Sequence, residues 1–290
     1  MNNHDKLMAD FQRLLKTQDF RSPQEAEAFM KNMIGQTIPE FETESLSNEE
    51  QAEDLVFQAL SCEEEEVFMA LLMQALDIDP NCIAAYECLG YEQPTHQLAI
   101  AYYGYGVELG RLKFCQKDYL KENKGHFYGI HETRPFLRCM FQYANCLTSL
   151  NEIDRALPLY KEILSLNESD NMGVRYRYAA QLLGKDLVDE YKKLDVKFEE
   201  EQNAFACFNR ALYLFKLHGD TAVSKAELKK AMGMNKYMVP LLIKGLGLQD
   251  LPTDYTEGSR EEAVSYLEFA FYAWSDGDDV IDWLGKNKKK

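Results

Sequence analysis

Tyr143-Ala144, Leu147, Ala156-Leu-Pro-Leu-Tyr160, Ile163-Leu164 and Leu166-Asn167 form the stretch that decides the fold. Its apolar residues recur every three or four positions, as one face of a helix requires, and small residues stand where two helices must cross. Adding 68 to each number lands on Ala211-Leu212, Phe215, Ser224, Leu228, Ala231 and Met234-Asn235, again small or apolar and in phase. A pattern that returns in register over that distance belongs to stacked helix pairs rather than to one irregular core.

The recurrence is twice the length, about 34 residues, of a tetratricopeptide-type unit. Working outward, Ala75-Leu76-Asp-Ile-Asp-Pro80 reads as the end of an earlier unit, and Tyr86-Glu-Cys-Leu89-Gly90 as the first helix of the next. Residues 171–200 supply a looser unit, with Tyr176, Ala180 and Leu183 on one helix and Leu187, Tyr191, Leu194 and Phe198 on the other. Pro80 and Asn167 lie 87 residues apart, 19 more than two units, which predicts an inserted helix or loop near 105–130. Before the repeats, Leu7, Met8, Phe11, Leu14 and Leu15 make one apolar helical stripe. Ser22-Pro23-Gln24-Glu25, Ser47-Asn-Glu-Glu50 and Ser259-Arg-Glu-Glu262 each read as a capping box that starts a helix. Residues 36–43, with Pro39, read as a linker. After the repeats, Leu267, Phe271, Trp274, Val280, Ile281, Trp283 and Leu284 predict capping helices, and the final lysines a frayed end. The expectation is an all-α, tetratricopeptide-like α-solenoid of antiparallel helix pairs. It has a helical extension at 1–45, repeats over 46–245 with one inserted segment, and a C-terminal cap over 246–290.

Composition narrows the function. The seven cysteines at 62, 82, 88, 115, 139, 146 and 207 are odd in number and include no Cys-x-x-Cys pair, so neither a disulfide framework nor a zinc knuckle is expected. That usage points to a reduced, cytoplasmic setting. Met1-Asn-Asn-His-Asp-Lys6 lacks the basic-then-apolar order of a secretory signal. The net charge of −16 has one address. From Asn32 to Gly110 there is no Lys or Arg and there are 16 acidic residues, leaving 32 acidic against 32 basic elsewhere. Such a stretch argues against nucleic acid and anionic lipid as partners. It reads either as solvated helix faces or as a surface for a basic partner.

Three strings carry a family likeness. Asp79-Pro-Asn-Cys82 with Ala85-Tyr86, then Gly125-His-Phe-Tyr-Gly129 with Glu132-Thr-Arg-Pro135 and Arg138, then Asp170-Asn171 with Gly173-Val-Arg-Tyr176 resemble bacterial tetratricopeptide proteins related to the suppressor-of-tumorigenicity family. The resemblance spans roughly residues 50–275, and it implies a helical-repeat fold with no established catalytic activity. Tyr128 departs from the family's usual Trp, and Glu168 from the expected repeat-ending Pro.

Candidate site residues fall in two sets. Arg138, Asn145, Arg177, Gln181, Asn209 and Arg210 lie on the first helices of three consecutive repeats, where a concave groove would hold an acidic or C-terminal peptide. Glu132, Arg134, Asp170, Asn171 and Arg175 read either as a ligand site or as a clamp, with Arg134 pairing Glu132 or Asp170. His126, His131 and Glu132 lack the i, i+4 spacing of helix-borne metal ligands, so no catalytic group, metal or cofactor is expected. The leading expectation is a non-enzymatic scaffold for a protein or peptide. The alternatives are an enzyme or small-ligand binder using 126–138 and 170–176, or a structural subunit assembling through the acidic stretch.

Overall fold

The computed structural model describes residues 3–39, 41–42, 45–245, 251–275 and 278–288. Among them the chain is all-helical, with one isolated backbone bridge, between His126 and Asn167, and no strand. No described helix is long and apolar enough to cross a membrane. Contacts divide the chain into two compact lobes, Met1–Ser169 and Asp170–Lys290. That division falls inside the segment 46–245 that the sequence groups together.

In the first lobe the order is α1 (Asn3–Lys16), α2 (Pro23–Met33), α3 (Asn48–Ala59), α4 (Glu65–Ile78), α5 (Ile83–Tyr91), α6 (His96–Phe114), α7 (Lys117–Asn123), α8 (Arg134–Ser149) and α9 (Ile153–Leu166). Successive helices α3 and α4, α5 and α6, and α8 and α9 pack as pairs, and α6 also packs on α8. The starts obey the sequence. Ser47 and Glu50 close a full capping box on α3. At α2 the Ser22 hydroxyl accepts the Glu25 N–H with Pro23 in the first turn, but the Glu25 carboxylate accepts the Arg21 N–H at 2.9 Å, so the expected box is only half made. The apolar period is equally obeyed: Ala144, Ala156, Tyr160 and Ile163 are fully buried. A close crossing of α6 and α8 requires two glycines. A Cβ on Gly110 would sit 2.1 Å from the Phe136 ring, and one on Gly106 2.7 Å from Cys139 Sγ.

The insertion expected near 105–130 takes a definite form. α6 runs on to Phe114, α7 follows, and two single 3-10 turns, Phe127–Gly129 and His131–Thr133, lead into α8. The Thr133 hydroxyl donates to the carbonyls of Phe127 and Ile130, which fixes these turns. The Glu168 N–H donates to the Gly125 carbonyl at 3.0 Å, tying the insertion to the end of α9.

The second lobe contains α10 (Val174–Gly184), α11 (Val188–Lys197), α12 (Ala204–His218), α13 (Ala222–Met234), α14 (Met238–Lys244), α15 (Arg260–Ser275) and α16 (Asp278–Asn287). The 68-residue recurrence has a structural counterpart. Ile153–Leu166 shifted by 68 becomes 221–234, and the observed helix is Ala222–Met234. Asn167 and Asn235, the equivalent residues after these helices, are both 1% exposed. Ser259 caps Glu262 as expected, but the Glu262 carboxylate is buried and accepts from Asn235 Nδ2 and the Gly258 N–H, each at 2.8 Å. It therefore joins α13 to α15 instead of closing the box. The extreme residues 289–290 of the expected frayed end lie outside the described residues.

Candidate functional site: a charged cleft in the first lobe

The six groove candidates all have partners within the chain. Arg138 Nε donates to Glu87 Oε1 at 2.6 Å, and the Asn145 Oδ1 accepts the Tyr160 hydroxyl at 2.9 Å. In the second lobe the partners of Arg177, Gln181 and Asn209 come from the chain's own α15. Arg177 pairs with Glu268 and lies 4.9 Å over the Phe269 ring, and Gln181 Nε2 donates to the Phe269 carbonyl at 3.2 Å. Asn209 Oδ1 accepts the Tyr266 hydroxyl at 2.8 Å, which in turn accepts Trp274 Nε1–H at 2.9 Å. Arg210 donates to Asp195 at 2.6 Å and to the carbonyls of Glu201 and Phe198. The part of the assigned peptide surface that carries Arg177, Gln181 and Asn209 is thus covered by α15, whose Tyr266, Leu267 and Trp274 are fully buried.

The second candidate set separates into local roles. Asp170, at φ 48°, accepts the Val174 N–H at 2.8 Å and the Arg175 N–H at 3.0 Å, and so caps α10. Gly173 turns the chain at φ 68°. Arg175 spans Asp170 at 2.7 Å and Glu201 at 2.6 Å, its guanidinium 4.2 Å over the Tyr176 ring. Burial alone would raise the Glu201 carboxyl, but hydrogen bonds from Arg175 and Tyr176 bring it below its ordinary value. Asn171 is exposed. Arg134 is half-buried, donates Nε–H to the Tyr128 carbonyl at 2.9 Å, and stacks over that ring. Glu132 accepts from Lys16 at 2.9 Å, so one expected clamp residue holds α1.

His126, His131 and Glu132 do not form a common centre. His126 is exposed, whereas His131 is 1% exposed with Nε2 3.0 Å from Glu53 Oε1. Among the described residues no three His, Cys, Asp or Glu side chains are grouped to hold a metal ion. Burial pushes the thiols of Cys82 and Cys88 up to about 12 and that of Cys146 up to about 11, so they stay protonated at neutral pH. Cys146 Sγ lies 3.6 Å from His96 Nδ1, but it is near the C-terminal end of α8, where the helix dipole opposes a thiolate.

What sequence reasoning missed is the place where α1 meets the acidic stretch. A cleft of about 280 Å³ is lined by Arg13 and Lys16 of α1, Glu49, Glu50 and Glu53 of α3, Asp79 before α5, Lys113 at the end of α6, and Glu132. Arg13 is only 4% exposed and reaches Asp54 at 2.8 Å, Asp10 at 3.1 Å, Glu53 at 3.3 Å and the Glu50 carbonyl at 3.1 Å. Burial opposes its charge, and the bond to Asp54 with the neighbouring carboxylates more than restores it, holding the guanidinium above its ordinary value. Glu50 behaves conversely: burial raises it, and its bonds to the Ser47 N–H and hydroxyl, with Lys16 and Arg13 nearby, bring it below. The signal was present in part. Arg13 lies seven residues from Lys6 and so on the same helix face, opposite the apolar stripe, and the stretch that receives it has no cation of its own.

No family model matches this chain, and no curated protein is significantly similar to it.

Proposed function

We propose that this protein is a non-enzymatic scaffold built of tetratricopeptide-like helix pairs, and that it binds a protein segment through the acidic cleft of its first lobe. The observation that carries this reading is the lining of that cleft, five carboxylates against three cations in a space of about 280 Å³. A cavity of that size suits a few side chains rather than a whole domain. Glu49, Glu53 and Glu132 face Lys113, Arg13 and Lys16 of the same chain, and the remaining excess of Glu50 and Asp79 favours a ligand presenting Lys or Arg. The acidic or C-terminal peptide expected from the sequence finds less support, because Arg138, Arg177 and Arg210 already hold carboxylates of the same chain.

The enzyme alternative has less behind it: the two histidines stand in different environments, and burial keeps the Cys82, Cys88 and Cys146 thiols protonated. The test is a peptide-display selection on the full-length protein at low ionic strength. The expected binders are rich in Lys and Arg and lose affinity in Glu49→Lys and Asp79→Lys. Enrichment of acidic or apolar peptides, or of binders that survive both reversals, would sink the reading.

A further inference from the structure

α1 is docked the wrong way round for a core helix. A surface helix ordinarily buries its apolar stripe and leaves its charges in water. Here only Ala9 and Arg13 of the described α1 side chains are buried, while Leu7 is 53% exposed and Met8, Phe11, Leu14 and Leu15 are half-buried. The contacts that hold it are ionic. Lys6 reaches Asp54 at 3.6 Å, Arg13 reaches Asp54 and Glu53, and Lys16 reaches Glu132. The carboxylates of Glu50, Glu53 and Asp54 that face Arg13 are 21–24% exposed, so water reaches this cluster and the pairs are screened by salt.

Two further features point the same way. Arg13 Nε is buried without a hydrogen-bond partner, its nearest carboxylate oxygen being Glu50 Oε1 at 4.0 Å. A buried N–H left without an acceptor marks an imperfect fit between helix and cradle. The helix that follows α1 is also weakly anchored: α2 buries no residue.

We infer that the acidic cradle formed by Glu50, Glu53, Asp54 and Glu132 is a docking site for a basic helix of a partner protein, and that α1 is its exchangeable occupant in cis. This rests on the cleft being the binding site of the protein. The partner helix carries cations at the spacing of Lys6, Arg13 and Lys16, that is, i, i+7 and i+10 on one face. Recognition comes first from these charges, because the side chains α1 buries are Ala9 and Arg13 while its apolar stripe is only half-buried. A tethered helix competes at an effective concentration on the order of millimolar, so α1 masks the cradle until a better-fitting helix displaces it.

The experiment uses a fluorescent peptide with the sequence of Asn3–Lys16 and follows its anisotropy on full-length protein at low ionic strength. Two variants release the resident helix, Arg13→Glu and the double variant Lys6→Glu with Lys16→Glu, each checked for native helicity. Both released proteins are expected to bind the peptide at least about tenfold more tightly than wild type, as masking lowers apparent affinity by the unmasked fraction. A peptide carrying Arg13→Glu should lose that binding. Equal affinity for wild type and released proteins would overturn the masking while leaving the cleft as a binding site. Binding of the charge-reversed peptide equal to that of the native one would overturn recognition by charge. No binding to either released protein would overturn the inference outright, and only failure of the display selection as well would remove the proposed function.

Discussion

The two ends of the chain each lay a helix against a lobe, and they are held by opposite physics. At the C-terminus α15 buries Tyr266, Leu267, Ala270 and Trp274 completely, and its polar atoms are satisfied one by one. At the N-terminus α1 buries an alanine and an arginine and leaves its apolar residues in partial contact with water. Burial of aromatic surface contributes about 25 cal/mol per Å² and does not depend on salt, whereas exposed ion pairs such as those of Lys6 and Lys16 are worth about 0–1 kcal/mol each and weaken as ionic strength rises. One helix is therefore part of a core and the other a removable attachment. The same reasoning explains why the surface first assigned to a ligand in the second lobe is closed: Arg177, Gln181 and Asn209 hold α15.

The strongest way to break this comparison is at Trp274. It packs 6.1 Å from Phe208 and donates to Tyr266, so Trp274→Ala should cost about 3–5 kcal/mol in a denaturant melt. A midpoint within error of wild type would show that α15 is no more integral than α1. Next in size is Arg175, which serves two carboxylates and is 18% exposed. Arg175→Ala should cost about 2–3 kcal/mol, somewhat under the figure for a fully buried pair because water reaches the guanidinium. Arg175→Lys should recover little, since an ammonium cannot span Asp170 and Glu201 as a planar fork does. Full recovery by Lys would mean that only charge matters there.

Arg13→Ala should behave differently from both. Losing it lets α1 detach and the carboxylates it leaves, 21–24% exposed already, rehydrate, so no buried charge is left unpaired and the global melt should move by no more than about 1 kcal/mol, while amide exchange in α1 rises to that of an unprotected segment. A large global loss with α1 still protected would contradict the picture of a removable helix. Raising the salt from 0.05 to about 0.5 M should reproduce the loss of α1 protection and leave α15 unchanged, since the Debye length falls by roughly threefold.

The smallest effect is the pH dependence. Glu50 is held below its ordinary value in the folded protein, so it binds protons less readily there than in the unfolded chain. Its contribution is therefore complete above the usual glutamate range, about pH 4.3, and disappears as the pH falls through the depressed folded value. Exchange in α1 and the first turn of α3 should rise on acidification from about pH 5 towards 3. Protection that instead improves on acidification would reverse the sign and remove Glu50 from the cradle. Glu201 has the same sign for the network of Arg175 and Tyr176 in the second lobe.

Much of the fold was legible in the sequence because its signals are local or periodic. Helix starts follow from Ser22, Ser47 and Ser259, whose hydroxyls accept N–H groups three residues ahead whatever the rest of the chain does. The recurrence of small and apolar residues at 68 matched the positions of α9 and α13 and the burial of Ser224, Leu228 and Ala231, since the spacing of buried faces along a helix is set by backbone geometry, whereas Met234, the counterpart of buried Leu166, is 39% exposed. The candidate site was much less legible. The acidic stretch and the stripe of α1 could both be seen, but nothing local says that a helix with a good apolar face will dock by the other one. Likewise the sequence marks Arg138, Arg177 and Arg210 as cations on first helices without saying that Glu87, Glu268 and Asp195 reach them first. Periodicity specifies which face a helix can bury. Which partner claims a charged side chain depends on distances between segments far apart in the chain, and only the packed structure sets those.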